Sequence, residues 1–212
     1  MIRRYLALDL GAESGRAMLA QLADDRVALT ELHRFPNTPV QLPTGLYWDT
    51  LRLFHEICEG IRSAAKASQR LDGIAIDTWG VDFGLLGADG ALLENPRHYR
   101  DARTYGVPDQ VFRVIPRSEI FRHTGIQFME INSLYQLYAI KRDSPQVLDN
   151  ASKLLFMPDL FNYFLTGAFA SERTVASTSQ FYDPARKCFA TELLGKLGIG
   201  GGFLAELIDP GI

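Results

Sequence analysis

The first 35 residues hold three short apolar runs separated by only a few polar residues, a spacing that folds a chain back on itself as a sheet. Residues 5–10 (YLALDL) read as a buried strand ended by Gly11. Residues 15–22 and 27–35 read as two more strands, and Asp24–Asp25 between them suits a hairpin turn. The chain is therefore expected to open as a three-stranded antiparallel meander.

Residues 36–47, with three prolines and a glycine, read as a loop. A helix is expected next. Leu51, Phe54, Cys58, Ile61 and Ala65 recur at 3-4-3-4 spacing, which puts them on one apolar face with Cys58 as core filling, and Asp49 is a suitable N-cap. Gly73–Trp79 reads as a strand covered on both faces, Phe83–Leu86 as its continuation, and Ala88–Gly90 as a turn. Further helices are expected over 107–115, 118–123 and 133–141, the last with Leu134, Leu137 and Tyr138 inward. Another runs from Pro158 through Phe161, Phe164 and Leu165 to Gly167. Three strands, a helix and then a buried strand define an α/β layout with a mixed sheet.

Composition narrows the function classes. With 212 residues, 47% apolar, the chain can bury a core without disulfides or metals, as one full-sized domain or one and a half small ones. A net charge of −3, with both signs mixed along the chain, argues against a nucleic-acid partner. Cys58 and Cys188 form no C-x-x-C pair, which fits a reducing compartment. Neither a signal-peptide core nor an apolar run of about 18 residues is present, so a soluble, cytoplasmic protein without a membrane partner is expected. His33, His55, His98 and His123 are scattered and lack the spacing of metal ligands.

The segment with the clearest chemistry is Asp9-Leu10-Gly11-Ala12-Glu13-Ser14-Gly15-Arg16, between the first two expected strands. A tight turn can aim successive backbone N–H groups at one anion, and Gly11 and Gly15 allow close approach and positive φ. Asp9 can hold hydrated Mg²⁺, Ser14 can add a hydroxyl, and Arg16 can add a permanent positive charge. Spacing alone leaves a second reading open, a plain hairpin with a glycine turn and an exposed Asp–Arg pair. The segment matches neither a Walker A loop nor a G-x-G-x-x-G fingerprint.

Longer runs carry a resemblance. Asp9–Arg16 resembles the first phosphate loop of actin- and hexokinase-like kinases. Ile74-Ala75-Ile76-Asp77-Thr78-Trp79-Gly80-Val81-Asp82-Phe83 is similar to the I-x-I-D-T-W-G-V-D-F run of the rhamnulokinase group of the FGGY carbohydrate kinases. Tyr99–Arg103 resembles their Y-R-D-x-R, Thr124–Phe128 with Asn132–Leu137 their T-G-I-Q-F…N-x-L-Y-Q-L, and Met157–Asp159 with Leu165–Gly167 their M-P-D…L-T-G. The resemblance runs from Asp9 to about Asp183. It implies a ribonuclease-H-like, actin-like ATPase domain spanning residues 1–212, half of a two-domain clamp. It also implies transfer of the γ-phosphoryl group of ATP, with Mg²⁺, to the 1-hydroxyl of L-rhamnulose.

In that setting Asp9, Gly11, Ala12, Glu13, Ser14, Gly15 and Arg16 are expected to hold the nucleotide phosphates, with Asp9 organising Mg²⁺ through water. Thr78, Gly80 and Asp82 alternate along an extended segment and so share a face, where a glycine lets a sugar approach the backbone. Thr78, Trp79, Gly80, Asp82, Asn132 and Gln136 are the expected sugar contacts, with a packed Trp79 rather than a stacking one, and a buried, hydrogen-bonded Asp82 at a strand end, as the other readings of this segment. Arg100, Asp101 and Arg103 are candidates to line the cleft or to pair among themselves.

The family's catalytic Asp lies in a His-Asp-Thr motif at the start of its second domain, and this chain contains no His-Asp pair. No catalytic residue is therefore assigned here. The base and the adenine pocket are expected outside these 212 residues, and the chain alone is expected to be inactive. A face meant for that second domain should be apolar and could pair two copies as a homodimer. A kinase for another ketose, such as fuculose or xylulose, and a non-catalytic sugar- or phosphate-binding module stay open as alternatives.

Overall fold

A computed structural model describes residues 2–211; Met1 and Ile212, the outermost residues of the expected 1–212 domain, lie outside the described residues. The chain begins with strands β1 (Arg3–Leu10), β2 (Ser14–Ala23) and β3 (Arg26–Pro36) and the short strands β4 (Val40–Leu42) and β5 (Gly45–Tyr47). Helix α1 (Thr50–Ala67), β6 (Gly73–Thr78) and β7 (Phe83–Leu86) follow. Then come α2 (Val107–Phe112), α3 (Arg117–Thr124), α4 (Ser133–Asp143), α5 (Pro145–Asp149), β8 (Lys153–Phe156) and α6 (Met157–Thr166). The last elements are β9 (Ser171–Glu172), α7 (Arg173–Ala176), β10 (Tyr182–Asp183), β11 (Cys188–Phe189), α8 (Thr191–Lys196) and β12 (Leu207–Ile208). Two units divide the chain: Met1–Val40 with Asp49–Trp79, and Gln41–Trp48 with Gly80–Ile212.

In the first unit, a four-stranded sheet has the order β3-β2-β1-β6, with β2 antiparallel to both neighbours and β6 parallel to β1. The expected meander is present. Alternation along β1 puts Leu6, Leu8 and Leu10 on one face, beside Leu19, Ala17 and Gly15 of β2, and all six are buried. Burying each leucine contributes about 1.5–3 kcal/mol.

Helix α1 closes this face. The Asp49 carboxylate accepts a hydrogen bond from the Arg52 backbone N–H, the capping expected of that position. The buried stripe is Leu53, Ile57, Gly60 and Ala64, not the one read from the sequence. Leu51 is 69% exposed, Phe54, Cys58 and Ile61 are half-buried, and Ala65 is exposed. The reason lies in size: a Cβ on Gly60 would come within 2.8 Å of Ala17 Cβ and 3.1 Å of Leu8 Cδ2. The helix sits on its smallest residues, a preference that counting apolar side chains does not detect. Strand β6 departs from expectation as well. It is the sheet's edge rather than a strand covered on both sides, and Ile74 is 44% exposed.

In the second unit, β7 pairs antiparallel with β8, and buried side chains from β7, α4, β8 and the chain's last third form one core. Tyr135, Phe156 and Phe181 are among its largest members. The inward face of α4 is wider than predicted: Ser133–Leu137, Ala139 and Ile140 are all buried, while Tyr138 is half-buried. Pro158 lies in the first turn of α6, and Gly167 ends that helix in the left-handed region at φ 76°, as its sequence predicts. Of Phe161, Phe164 and Leu165 along this helix, only Phe161 is fully covered. The stretch expected to be a loop contains the paired strands β4 and β5, joined by a turn at Pro43–Thr44, with Gly45 at φ 142° opening β5. Among the described residues, no helix is long and apolar enough to cross a membrane.

Asp159 on α6 is 6% exposed; one carboxyl oxygen accepts from the Glu172 N–H at 3.2 Å and the other has no partner. Burial pushes its pKa up to about 7. A carboxyl raised in the folded state binds more protons there than in the unfolded chain, so stability falls as pH rises from about 4 to about 7. Asp159→Asn removes that dependence. The variant should gain on the wild type across this window, by up to about 4 kcal/mol above pH 7, as measured by urea unfolding at several pH values.

Candidate functional site

The phosphate-loop candidate is the β1–β2 hairpin of the first unit. Gly11 N–H donates to the Ser14 carbonyl at 2.9 Å, which leaves Ala12 and Glu13 as the two-residue tip. Among the described residues, the N–H groups of Ala12 and Glu13 have no acceptor. Neither Gly11 nor Gly15 takes positive φ, contrary to expectation. Close approach is what they provide: a Cβ on Gly15 would collide with the Phe35 ring, and one on Gly11 would lie 3.2 Å from the Ser14 carbonyl oxygen.

Asp9 and Arg16 face each other across β1 and β2 and form an ion pair, both half-exposed. Asp77 of β6 stands beside Asp9 in register, so two carboxylates share the sheet face opposite α1, at neighbouring strand ends. A half-exposed Asp9 carboxylate with a second carboxylate beside it fits a hydrated Mg²⁺ held through water, whereas the free N–H groups at the loop tip suit an anion.

Asn37, just after β3, fixes this hairpin from the side. Its backbone N–H donates to the Glu13 carbonyl and its Nδ2 to the Gly11 carbonyl, each at 2.9 Å, and the residue is 4% exposed. Sequence reasoning missed both Asn37 and Asp77. The partners of Asn37 lie 24 and 26 positions earlier, and only strand pairing brings them together.

The sugar-loop candidate begins at the end of β6, where Thr78 and Trp79 are half-buried and the Thr78 hydroxyl donates to the Trp79 carbonyl at 2.9 Å. Past Trp79 the chain enters the second unit. There the Asp82 N–H donates to the Gly80 carbonyl at 2.9 Å around Val81, whose φ is 67°. This is a γ-turn of the rare, strained hand, and a β-branched residue in it is an outlier costing about 1–3 kcal/mol. Ser133 Oγ donates to the Val81 carbonyl at 2.5 Å, and Val81 N–H donates to Thr178 Oγ1 at 3.0 Å.

Beneath the turn, Asp82 has no exposed surface. Its carboxylate accepts from Trp48 Nε1 at 2.6 Å, Gln136 Nε2 at 2.7 Å and Tyr99 N–H at 3.1 Å. Gln136, 2% exposed, also accepts from Arg103 Nη2 at 2.7 Å and donates to the Ile131 carbonyl at 2.9 Å. Asn132, 4% exposed, accepts from Met129 N–H at 2.8 Å and donates to the Thr178 carbonyl at 3.2 Å. Asp82, Asn132 and Gln136, expected as sugar contacts, thus have their polar atoms engaged inside the protein.

Burial lowers the Arg103 pKa to about 10, still cationic at neutral pH, and lowers that of His98, stacked 4.0 Å from Trp48, to about 4. Asp101 accepts from Leu46 N–H at 2.6 Å, and Arg100 lies over the Tyr99 ring. Arg100, Asp101 and Arg103 line a cavity of about 580 Å³ with Glu94 and Arg97.

A mixed sheet opening with an antiparallel meander, in a mixed α/β chain, is the actin-like fold. Solved structures share the fold: a ligand-bound xylulose kinase from Lactobacillus acidophilus superposes with a TM-score of 0.86 at 20% identity, covering 98% of this chain and 42% of its own. A gluconate kinase from the same organism gives 0.86 at 20% identity, covering 99% of this chain and 42% of its own. Residues 4–211 match the FGGY family of carbohydrate kinases, N-terminal domain, and the chain belongs to that family. A rhamnulokinase of Bacteroides thetaiotaomicron is 41% identical over 211 residues, covering 100% of this chain and 44% of the relative. One of Pectobacterium atrosepticum is 40% identical over 212 residues, covering 99% of this chain and 43% of the relative. The chain thus spans less than half the length of the curated relatives it matches.

Asn37→Ala leaves the Gly11 carbonyl without its side-chain donor. The expected loss is about 1–2 kcal/mol in urea unfolding, with faster amide exchange at Ala12 and Glu13. Unchanged stability and exchange would show that the contact does not hold the hairpin.

Proposed function

We propose that these residues form the phosphate- and sugar-holding part of a kinase that transfers the γ-phosphoryl group of ATP to the 1-hydroxyl of L-rhamnulose. The observation that carries the proposal is 41% identity, across the whole chain, to a protein named rhamnulokinase. Phosphoryl transfer needs positioning and charge neutralisation more than covalent chemistry. The N–H groups of Ala12 and Glu13, with Gly11 and Gly15 keeping the hairpin tight, are proposed to receive phosphate oxygens, and Ser14 to add a hydroxyl donor. Arg16, tethered by its pairing with Asp9, adds positive charge beside them. Asp9, with Asp77 next to it, is the proposed holder of Mg²⁺ through water. Mg²⁺ bound there would supply neutralisation of phosphate charge.

The sugar is proposed to meet the backbone at Gly80, with Thr78 and Trp79 just before it in the chain. Asp82, Asn132 and Gln136 take a different role from the one read off the sequence: they hold the turn from beneath. None of these carboxylates is proposed as the base. Asp82 has no exposed surface and is saturated with donors, so the base is proposed to come from the length by which the relatives exceed this chain.

A coupled assay of the full-length enzyme with L-rhamnulose, L-fuculose and D-xylulose tests the substrate. The kcat/KM for L-rhamnulose should be at least about tenfold the others, a difference of about 1.4 kcal/mol in transition-state binding. A clear preference for another ketose would overturn the assignment. The 212-residue chain alone should give no ATP-dependent phosphorylation, and measurable turnover by it would refute the placement of the base.

A further inference from the structure

The strained turn at Gly80–Asp82 is held from one side by a residue outside the motifs that identify the family. Thr178 lies in a single 3-10 turn, Ser177–Ser179. Its hydroxyl donates to the Val175 carbonyl at 2.8 Å, which orients a lone pair toward the Val81 N–H, 3.0 Å away. Its carbonyl accepts from Asn132 Nδ2 at 3.2 Å, so the element that latches Val81 is itself tied to the start of α4.

The same side chain explains the glycine at 80. A Cβ on Gly80 would lie 2.9 Å from Thr178 Cγ2, 3.0 Å from Oγ1 and 3.1 Å from Cβ. Gly80 is not itself in the left-handed region. What requires a glycine is therefore the close approach of Thr178 behind it, and a larger residue at 80 would push the latch off Val81.

We propose that Thr178 is a positioning residue for sugar binding: its hydroxyl latches Val81 in the strained turn and so fixes the backbone that Gly80 presents to the sugar. The proposal rests on the reading of Gly80 as a sugar contact. Thr178 touches no reacting group. It acts only through the turn, so the effect should fall on sugar KM.

Two substitutions separate the latch from packing. Thr178→Val keeps the shape and removes the hydroxyl, while Thr178→Ser keeps the hydroxyl and removes the methyl. In the 212-residue chain, amide exchange at Val81 should be about tenfold faster in Thr178→Val and near wild type in Thr178→Ser, with the Leu154–Phe156 amides unchanged in both. In the full-length enzyme, Thr178→Val should raise the sugar KM about tenfold, leave the ATP KM unchanged, and move kcat by less than about threefold; Thr178→Ser should restore the sugar KM. An unaltered Val81 amide in Thr178→Val overturns the latch. An unaltered sugar KM, or both KM values rising together with a lowered Tm, overturns the positioning role. If the wild-type enzyme phosphorylates no ketose, the sugar-kinase reading and the sugar role fall together, and amide exchange still decides whether Thr178 latches the turn.

Discussion

A carboxyl group removed wholly from water must find enough hydrogen-bond donors to replace its hydration. Asp82 meets this demand by drawing donors from three parts of the second unit: the Trp48 indole after β5, the Tyr99 backbone and the Gln136 amide on α4. Its own carbonyl accepts from the Met157 N–H at the start of α6. Four segments distant in sequence therefore converge on one residue, and removal of any donor would leave a buried polar group less well satisfied. The turn at Gly80–Asp82 can hold its unfavourable backbone because this anchor, with Ser133 above it, over-determines the geometry.

The first unit solves its problem by close packing. Gly15 admits the Phe35 ring, Gly60 admits Ala17 and Leu8, and the hairpin tip is left with two N–H groups that the fold does not consume. Asn37 braces that hairpin through the carbonyls of Gly11 and Glu13, so the tip is held without using its own N–H groups. The neighbouring ends of β1 and β6 bring Asp9 and Asp77 side by side, an arrangement that follows from parallel pairing of strands more than 60 residues apart.

Much of this was legible in the sequence. The apolar runs of β1–β3, the Asp49 cap, Pro158 and Gly167 each act through neighbours a few positions away, and the structure agrees with all of them. The misreadings share a cause. The buried face of α1 is set by where small residues let it touch the sheet, and the exposure of β6 by its place at the edge. Both are properties of the partner surface rather than of the segment. The same holds for the candidate site. The D-T-W-G-V-D run covers the turn at Gly80–Asp82, but that Asp82, Asn132 and Gln136 bond inward depends on Trp48, Arg103 and Thr178, which no local spacing connects to them.

The two tryptophans occupy contrasting surroundings. Trp48 is fully buried, stacked on His98 and hydrogen-bonded to a carboxylate, whereas Trp79 is half-buried in the segment leading to Gly80. Burial keeps His98 neutral through the physiological range, so the optical environment of Trp48 is insensitive to its titration there. The molecule therefore carries two built-in fluorophores with separate duties: Trp48 reports whether the second unit is folded, and Trp79 reports events at the segment that leads into the turn.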